Sequence, residues 1–361
     1  MNFNLTLDPF LYDLFRTTVA IVIAIVFVLV NVIIFIYLER KIWARSMQRM
    51  GPTYVGKWGS LQLVADLIKL IAKEIIIPSK ANRIAFLLLP ILVAIVSLMI
   101  AIILPYDYVV FKTLLIFMPL FPSITFLNNF IVSNSFTAGL FIIYVILGLN
   151  PILILLAGWV SNNKYTVVGG FRAAAQLLSF EIPLLIVVAS VIILTNTLDL
   201  YKIVEFQQKV WLIELAPLAF VLFIIVSLAE GERTPFDIPD AESEIIAGWN
   251  TEYSAIPFGL LLMGMYARAF YSATLVAILF FGGWLGPELP GFLEPFSGPF
   301  WLMIKTYFFV ILFIIIRAAF PRFRIDQLLS LNWAKLLPLS IVNLILVVIA
   351  KYIVISAGLI T

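Results

Sequence analysis

Eight stretches of about 20 consecutive, mostly apolar residues decide what this chain can fold into. They cover residues 17–38, 84–104, 137–160, 173–195, 212–229, 257–281, 301–320 and 336–357. A run of that length, coiled as a helix, matches the hydrocarbon thickness of a bilayer and satisfies its own backbone hydrogen bonds where no water can. With 63% hydrophobic and 12% charged residues, the chain lies well beyond soluble domains, in which apolar residues make up about 45–50%. The spacing predicts an all-α polytopic membrane protein with eight transmembrane helices, a single membrane domain over residues 1–361.

The basic residues set its orientation. Loops following odd-numbered spans hold sixteen Lys and Arg, nine of them between Arg40 and Arg83, whereas the even-numbered loops hold three: Lys112, Lys202 and Lys209. This bias places both termini outside and the odd loops in the cytoplasm. Residues 108–130 are apolar enough for a ninth span, but Lys112, Pro119, Pro122, Asn128 and Asn129 interrupt them, and a crossing there would invert every later loop. They are read as an outer-surface or re-entrant segment. The first sixteen residues carry Asp8 and Asp13 and no basic leader region, which argues against a cleaved signal peptide.

What is missing narrows the chemistry. The sequence has no cysteine and no histidine, so it lacks thiolates for iron–sulfur clusters, imidazoles for b-type haem, and the usual ligands of structural zinc. No metal site is expected. If the chain serves a redox enzyme, another subunit carries the electrons. The net charge of +3 is small and dispersed among the spans, which gives nucleic-acid binding no support.

Two loops stand out against this background. The acidic cytoplasmic loop, residues 230–256, concentrates seven of the chain's 20 carboxylates between Glu230 and Glu252, with Arg233 as the single base. Pro235 and Pro239 stop the preceding helix, and Asp240 is placed to cap a short helix with Glu242 and Glu244 in its first turn. A solvated charge run and a shielded, proton-active cluster both fit this composition. The first cytoplasmic loop, residues 39–83, contains an amphipathic helix over 61–74. Leu61, Val64, Leu67, Ile68 and Ile71 share one face, and Asp66, Lys69 and Lys73 lie along the other. It suits the bilayer interface, as an anchor or as the frame of an opening for a lipid-like molecule.

Within the spans, Glu181 lies nine residues past Arg172, about 13 Å deeper along the helix. Arg268 lies near the middle of the sixth span. Ionisable groups at such depth need a partner or a wet cavity, and Glu181 is a candidate partner for Arg268. Glu214 is expected only to mark the interface. Asn150-Pro151 interrupts the third span as a kink or hydration point.

These residues, taken together, resemble the H-subunit family of proton-pumping NADH:quinone oxidoreductase (respiratory complex I), homologous to mitochondrial membrane subunit one. The resemblance is carried by Glu39-Arg40-Lys41, Leu61 to Glu74, Ala157 to Tyr165, Arg172 to Glu181, the acidic loop, Phe281 to Trp284 and Arg317 to Leu328. It implies a subunit at the heel of the membrane arm, where the first helix, the amphipathic helix and the sixth helix frame a quinone entrance. Its cytoplasmic loops would form the chamber floor. By the same resemblance Glu181, Glu230, Glu242 and Glu244 belong to a proton path. Arg40, Arg49, Asp66, Lys69, Arg172, Arg233, Asp237 and Arg317 would support the loops or dock the hydrophilic arm, and Arg268 remains a further intramembrane charge. The implied partners are other membrane-arm subunits, iron–sulfur hydrophilic-arm subunits that hold the clusters, and the lipid of a prokaryotic cytoplasmic membrane. Quinone is the substrate of the complex, and no cofactor is bound by this chain alone. The chain departs from the family pattern at Thr53 and Tyr54 in the first loop, at Glu232 and Asp240, and at Met265, where the family has Glu. Two alternatives carry weight at this stage: the equivalent subunit of a membrane-bound hydrogenase or ferredoxin-driven ion pump, and a stand-alone secondary transporter using Glu181 and Arg268.

Overall fold

The computed structural model describes residues 9–117, 133, 136–239, 247–290, 294 and 296–356, and every regular element among them is helical. The first apolar run forms α1 (Pro9–Ser46), which continues beyond it and carries Arg45 in its last turn, a cation suited to the negative end of the helix dipole. The amphipathic helix is α2 (Gln62–Ala72). Its Val64, Leu67, Ile68 and Ile71 are exposed, as a face laid against lipid requires. The second run is α3 (Arg83–Ile103), whose first turn is capped by the Asn82 side chain accepting from the amides of Ile84 and Ala85. Next come α4 (Tyr106–Phe117), α5 (Gly139–Leu147) and α6 (Asn150–Val160). The expected interruption of the third span is the break between α5 and α6, with Pro151 in the first turn of α6, where its missing N–H leaves no gap.

After these, α7 (Lys164–Thr195) starts nine residues earlier than its apolar run, so that Arg172 lies inside it. The chain goes on through α8 (Leu200–Phe206), α9 (Leu212–Leu215), α10 (Pro217–Glu230), α11 (Ala255–Phe280), α12 (Ser297–Ala319), α13 (Ile325–Leu331) and α14 (Leu337–Ser356). A π-turn over Asn332–Leu336 joins the last two.

Seven helices or joined helices among the described residues are long and apolar enough to cross a membrane. The run predicted over 212–229 is the exception, because it is divided at Ala216 and its main part, α10, has 14 residues. The segment predicted not to cross contains α4, a helix of 12 residues packed against α1, α3 and α12. Residues 118–130, the remainder of that segment, lie outside the described residues.

The bundle is organised around α11. Of its most apolar stretch 78% is buried, against 22% for the span ending in α14, and α11 packs on α1, α2, α3, α10 and α12. A second contact group joins α7 to α6, α10 and α14. Glycines permit the closest of these crossings: a Cβ on Gly158 would stand 2.6 Å from the Thr166 carbonyl oxygen and 3.1 Å from the Gly170 Cα. Thus α7, α10 and α11 meet at the point where the chain leaves α10 for the acidic loop.

Candidate functional site

Where α10 ends at Glu230, the chain folds back on itself instead of entering solvent. The Arg233 amide donates to Leu228 O at 3.2 Å, and the Phe236 amide donates to Arg233 O at 2.7 Å. Gln176 of α7 reaches across to donate to Ala229 O at 3.1 Å and Phe236 O at 2.6 Å. The Phe323 amide, just past α12, donates to Pro235 O at 3.1 Å. Glu230, Glu232 and Arg233 are consequently only 3–4% exposed. The start of the loop, residues 230–239, is thus a turn that shields Glu230 and Glu232 from solvent.

Burial of ions requires pairing, and two pairs form here. Arg268 of α11 donates to Glu232 at 2.9 Å, with both side chains about 1% exposed. Its expected partner, Glu181, is not the group it bonds. Glu232 is nearer because the turn after Gly231 returns the loop to the flank of α11. Arg233 donates to both oxygens of Glu39 at 2.9 and 3.0 Å, and Arg317 pairs with the same carboxylate. The Arg233 guanidinium also lies over the rings of Tyr266 (4.1 Å) and Phe35 (5.2 Å), and Arg317 lies over Trp43 at 4.8 Å. Glu39 therefore ties α1, the acidic loop and α12 together.

Glu181 faces the α5–α6 break. A Cβ on Gly148 would come within 2.4 Å of its Oε1, so a glycine at the break makes room for the carboxylate. Glu230 lies within electrostatic range of Glu181, Glu232 and Arg268, and its charge is also felt by Tyr144 on α5. Two buried carboxylates, Glu230 and Glu232, and one buried guanidinium, Arg268, thus lie beside the half-buried Glu181. Burial raises the Glu232 carboxyl above its ordinary range; the Arg268 charge opposes this, and Asp237 adds to it. Carboxylates held this way exchange protons as a coupled set.

The remaining expected residues divide into two groups. Arg40 donates to Asp66 at 2.5 Å and Gln62 donates to the other Asp66 oxygen at 3.1 Å, tying α2 to the end of α1. Partial burial acts to raise the Asp66 carboxyl, but the Arg40 and Gln62 hydrogen bonds and the charges of Arg40 and Lys69 outweigh it and leave the group below its ordinary value. Asp237 pairs with Arg322 at 3.0 Å. Arg49 and Lys69 are exposed, Arg172 is half-buried on α7, and Glu214 is exposed as expected. None of these four belongs to the buried cluster. Glu242, Glu244 and the expected cap Asp240 lie outside the described residues. Among the described residues no group of three or more carboxylates is arranged to hold a metal ion.

Sequence reasoning did not single out Glu39, Tyr144, Gln176 or Arg322 for the site. Glu39 had a visible signal, an acid among bases at the end of an apolar run, but such a residue also reads as an interface marker.

A family model described as NADH dehydrogenase matches residues 19–348, which include every charge of the cluster. A Rhodospirillum centenum protein, named as the H subunit of NADH-quinone oxidoreductase, is 38% identical over 320 residues, 88% of this chain and 89% of its own. Its namesake from Paramagnetospirillum magneticum is 36% identical over 340 residues, 94% of this chain and 93% of its own. The chain belongs to the H-subunit family of NADH-quinone oxidoreductase. Arg268, three residues beyond Met265, takes its carboxylate from the loop residue Glu232.

Proposed function

We propose that this chain is a membrane-arm subunit of a quinone-reducing respiratory complex, and that it couples quinone reduction to proton translocation through Glu181, Glu230 and Glu232. Glu242 and Glu244 of the same loop extend the path toward the quinone chamber. The observation that carries this reading is the cluster itself: Glu230, Glu232 and Arg268 buried between α10, the loop and α11, with the half-buried Glu181 of α7 within electrostatic range. A purely structural loop would gain nothing from holding Glu230 at 4% exposure beside two further acids. Reduction of a quinone to a quinol consumes two protons, and the change in charge shifts the protonation of neighbouring shielded carboxylates. The chain transmits that shift without carrying electrons, which belong to iron–sulfur clusters in partner subunits.

In this reading both termini are outside and the chain crosses a prokaryotic cytoplasmic membrane eight times, α9 and α10 together making the fifth crossing. Residues 212–230 are close to the length of about 20 that a crossing needs. The end of α1, α2 and α11 frame the quinone entrance, with the Arg40–Asp66 pair holding α2 in place. The cytoplasmic loops dock the hydrophilic arm through Arg49, Lys69 and Arg172.

Gentle solubilisation of native membranes, recovery of this chain and assay of the recovered complex test the proposal. It requires co-recovery of iron–sulfur subunits and quinone reduction sensitive to a quinone-site inhibitor. Hydrogen evolution without quinone dependence would instead favour the hydrogenase-type assembly, and a stable chain without partners would favour the transporter.

A further inference from the structure

A polar groove lies away from the acidic cluster, where three helices of the bundle end on one side. α6 ends at Val160, α7 begins at Lys164 and α3 begins at Arg83. The turn over 161–163 and the approach to α3 over 78–80 are held together there: the Asn162 side chain donates to Lys80 O at 3.1 Å. A third segment joins them, because the Asn163 side chain donates to Glu252 at 2.6 Å. Between the three lies a groove of about 380 Å³ whose lining includes Ser79, Lys80, Ser161, Lys164 and Glu252. Sites that take small molecules span roughly 300–1,000 Å³.

The lining carries both signs of charge. Lys80 and Lys164 are exposed ammonium groups, and the Ser79 and Ser161 hydroxyls add neutral donors, a set suited to phosphate oxygens. Glu252 is half-buried, and the Asn163 bond fixes one of its oxygens, so a carboxylate is held within the same groove as the two cations. Immediately beside the groove the helix surfaces turn apolar: Ile84 at the start of α3, Trp159 at the end of α6 and Phe171 on α7 are 77%, 64% and 60% exposed. Such side chains on helices long enough to span suit acyl chains, and Trp and Tyr are favoured at headgroup level. Tyr165, at the groove's edge, has the Lys164 Nζ over its ring at 5.2 Å.

We propose that this groove binds a phospholipid whose headgroup ends in a primary amine. Lys80, Lys164 and the serine hydroxyls hold the phosphate, Glu252 accepts from the ammonium, and the acyl chains lie along Ile84, Trp159 and Phe171. Basic pockets between spanning helices bind phospholipid headgroups; the carboxylate narrows the choice. A headgroup with a second negative charge would set it against Glu252, and a choline headgroup has no N–H to donate. The site depends on the helices crossing a membrane and not on the proton-coupling reading.

Photo-crosslinking of the solubilised, assembled complex tests the site. Phosphatidylethanolamine and phosphatidylcholine probes with the same diazirine-bearing acyl chain are added in turn, and the labelled peptides of this chain are mapped. The expected result is labelling at or beside Ile84, Trp159 and Phe171 that is stronger with the ethanolamine probe. It is lost in a Lys80→Ala/Lys164→Ala double variant, and in Glu252→Gln it persists without preference between the probes. Gln keeps an oxygen to accept from Asn163, so the turn is retained in that variant. If the double variant does not assemble, the preference in the parent complex and its loss in Glu252→Gln decide the matter. No labelling at these residues, equal labelling by both probes in the parent, or a preference unchanged in Glu252→Gln overturns the proposal. So does an assembled double variant that keeps its labelling, and one that keeps it while losing partner subunits assigns the groove to a protein contact instead.

Discussion

At the scale of single residues, Glu39 carries the heaviest structural duty in the site. It is the common acceptor for Arg233 and Arg317, and its removal strands two guanidiniums, one of them 4% exposed. Breaking a buried pair from one side costs about 3–5 kcal/mol, a large share of any domain's stability. Glu39→Ala is therefore expected to lower the yield of assembled complex on native gels severely. Glu39→Asp, which keeps the charge, should recover part of it. Arg268 behaves differently, because among the described residues it bonds Glu232 alone and leaves other donors unused. Arg268→Lys keeps the charge but not the guanidinium geometry. It is expected to assemble and to reduce quinone more slowly, as a rate assay on normalised complex will show.

At the scale of elements, the breaks matter as much as the helices. The α5–α6 break places Gly148 against the Glu181 carboxylate, so Gly148→Ala should displace Glu181 and slow coupled quinone reduction in a complex that still assembles. Gly158→Ala strikes the backbone of α7 instead and should impair assembly. Helix α2 supplies a pH-dependent case. The Asp66 carboxyl is held below its ordinary value in the folded state, so the tether to Arg40 is fully present above the ordinary carboxylate range. It is lost only as the pH falls through the depressed value. The protection factors of the α2 amides should thus be the same at pH 7 and pH 5, and lower at either pH in Asp66→Asn. The positions of these elements were largely legible in the sequence, because apolar length marks a span and a 3.6-residue period marks the interfacial face of α2. The divided run at 212–230 was less so, since Ala216 gives no signal of a break and only Pro217 hints at one. The charge pairs were not legible. Glu39 and Arg233 are 194 residues apart and Glu232 and Arg268 are 36 apart, and no local pattern encodes which acid a folded-back loop will bring to which base. Depth marked Glu181 and Arg268 as groups needing company; Arg268 finds it in Glu232, and depth could not say that a loop carboxylate would be that partner.

At the scale of the whole molecule, α11 is the axis on which the proposed function turns. It meets the interfacial helix α2 and carries Arg268 into the acidic cluster. The central claim is that the buried carboxylates around Arg268 couple quinone reduction to proton movement. The most direct test is the rate of inhibitor-sensitive quinone reduction by a fully assembled Glu230→Gln complex in sealed vesicles, with and without an uncoupler. The account predicts that proton translocation per electron falls and that the uncoupler no longer accelerates turnover as it does in the parent complex. Parental turnover, proton ratio and uncoupler response in that variant would contradict it.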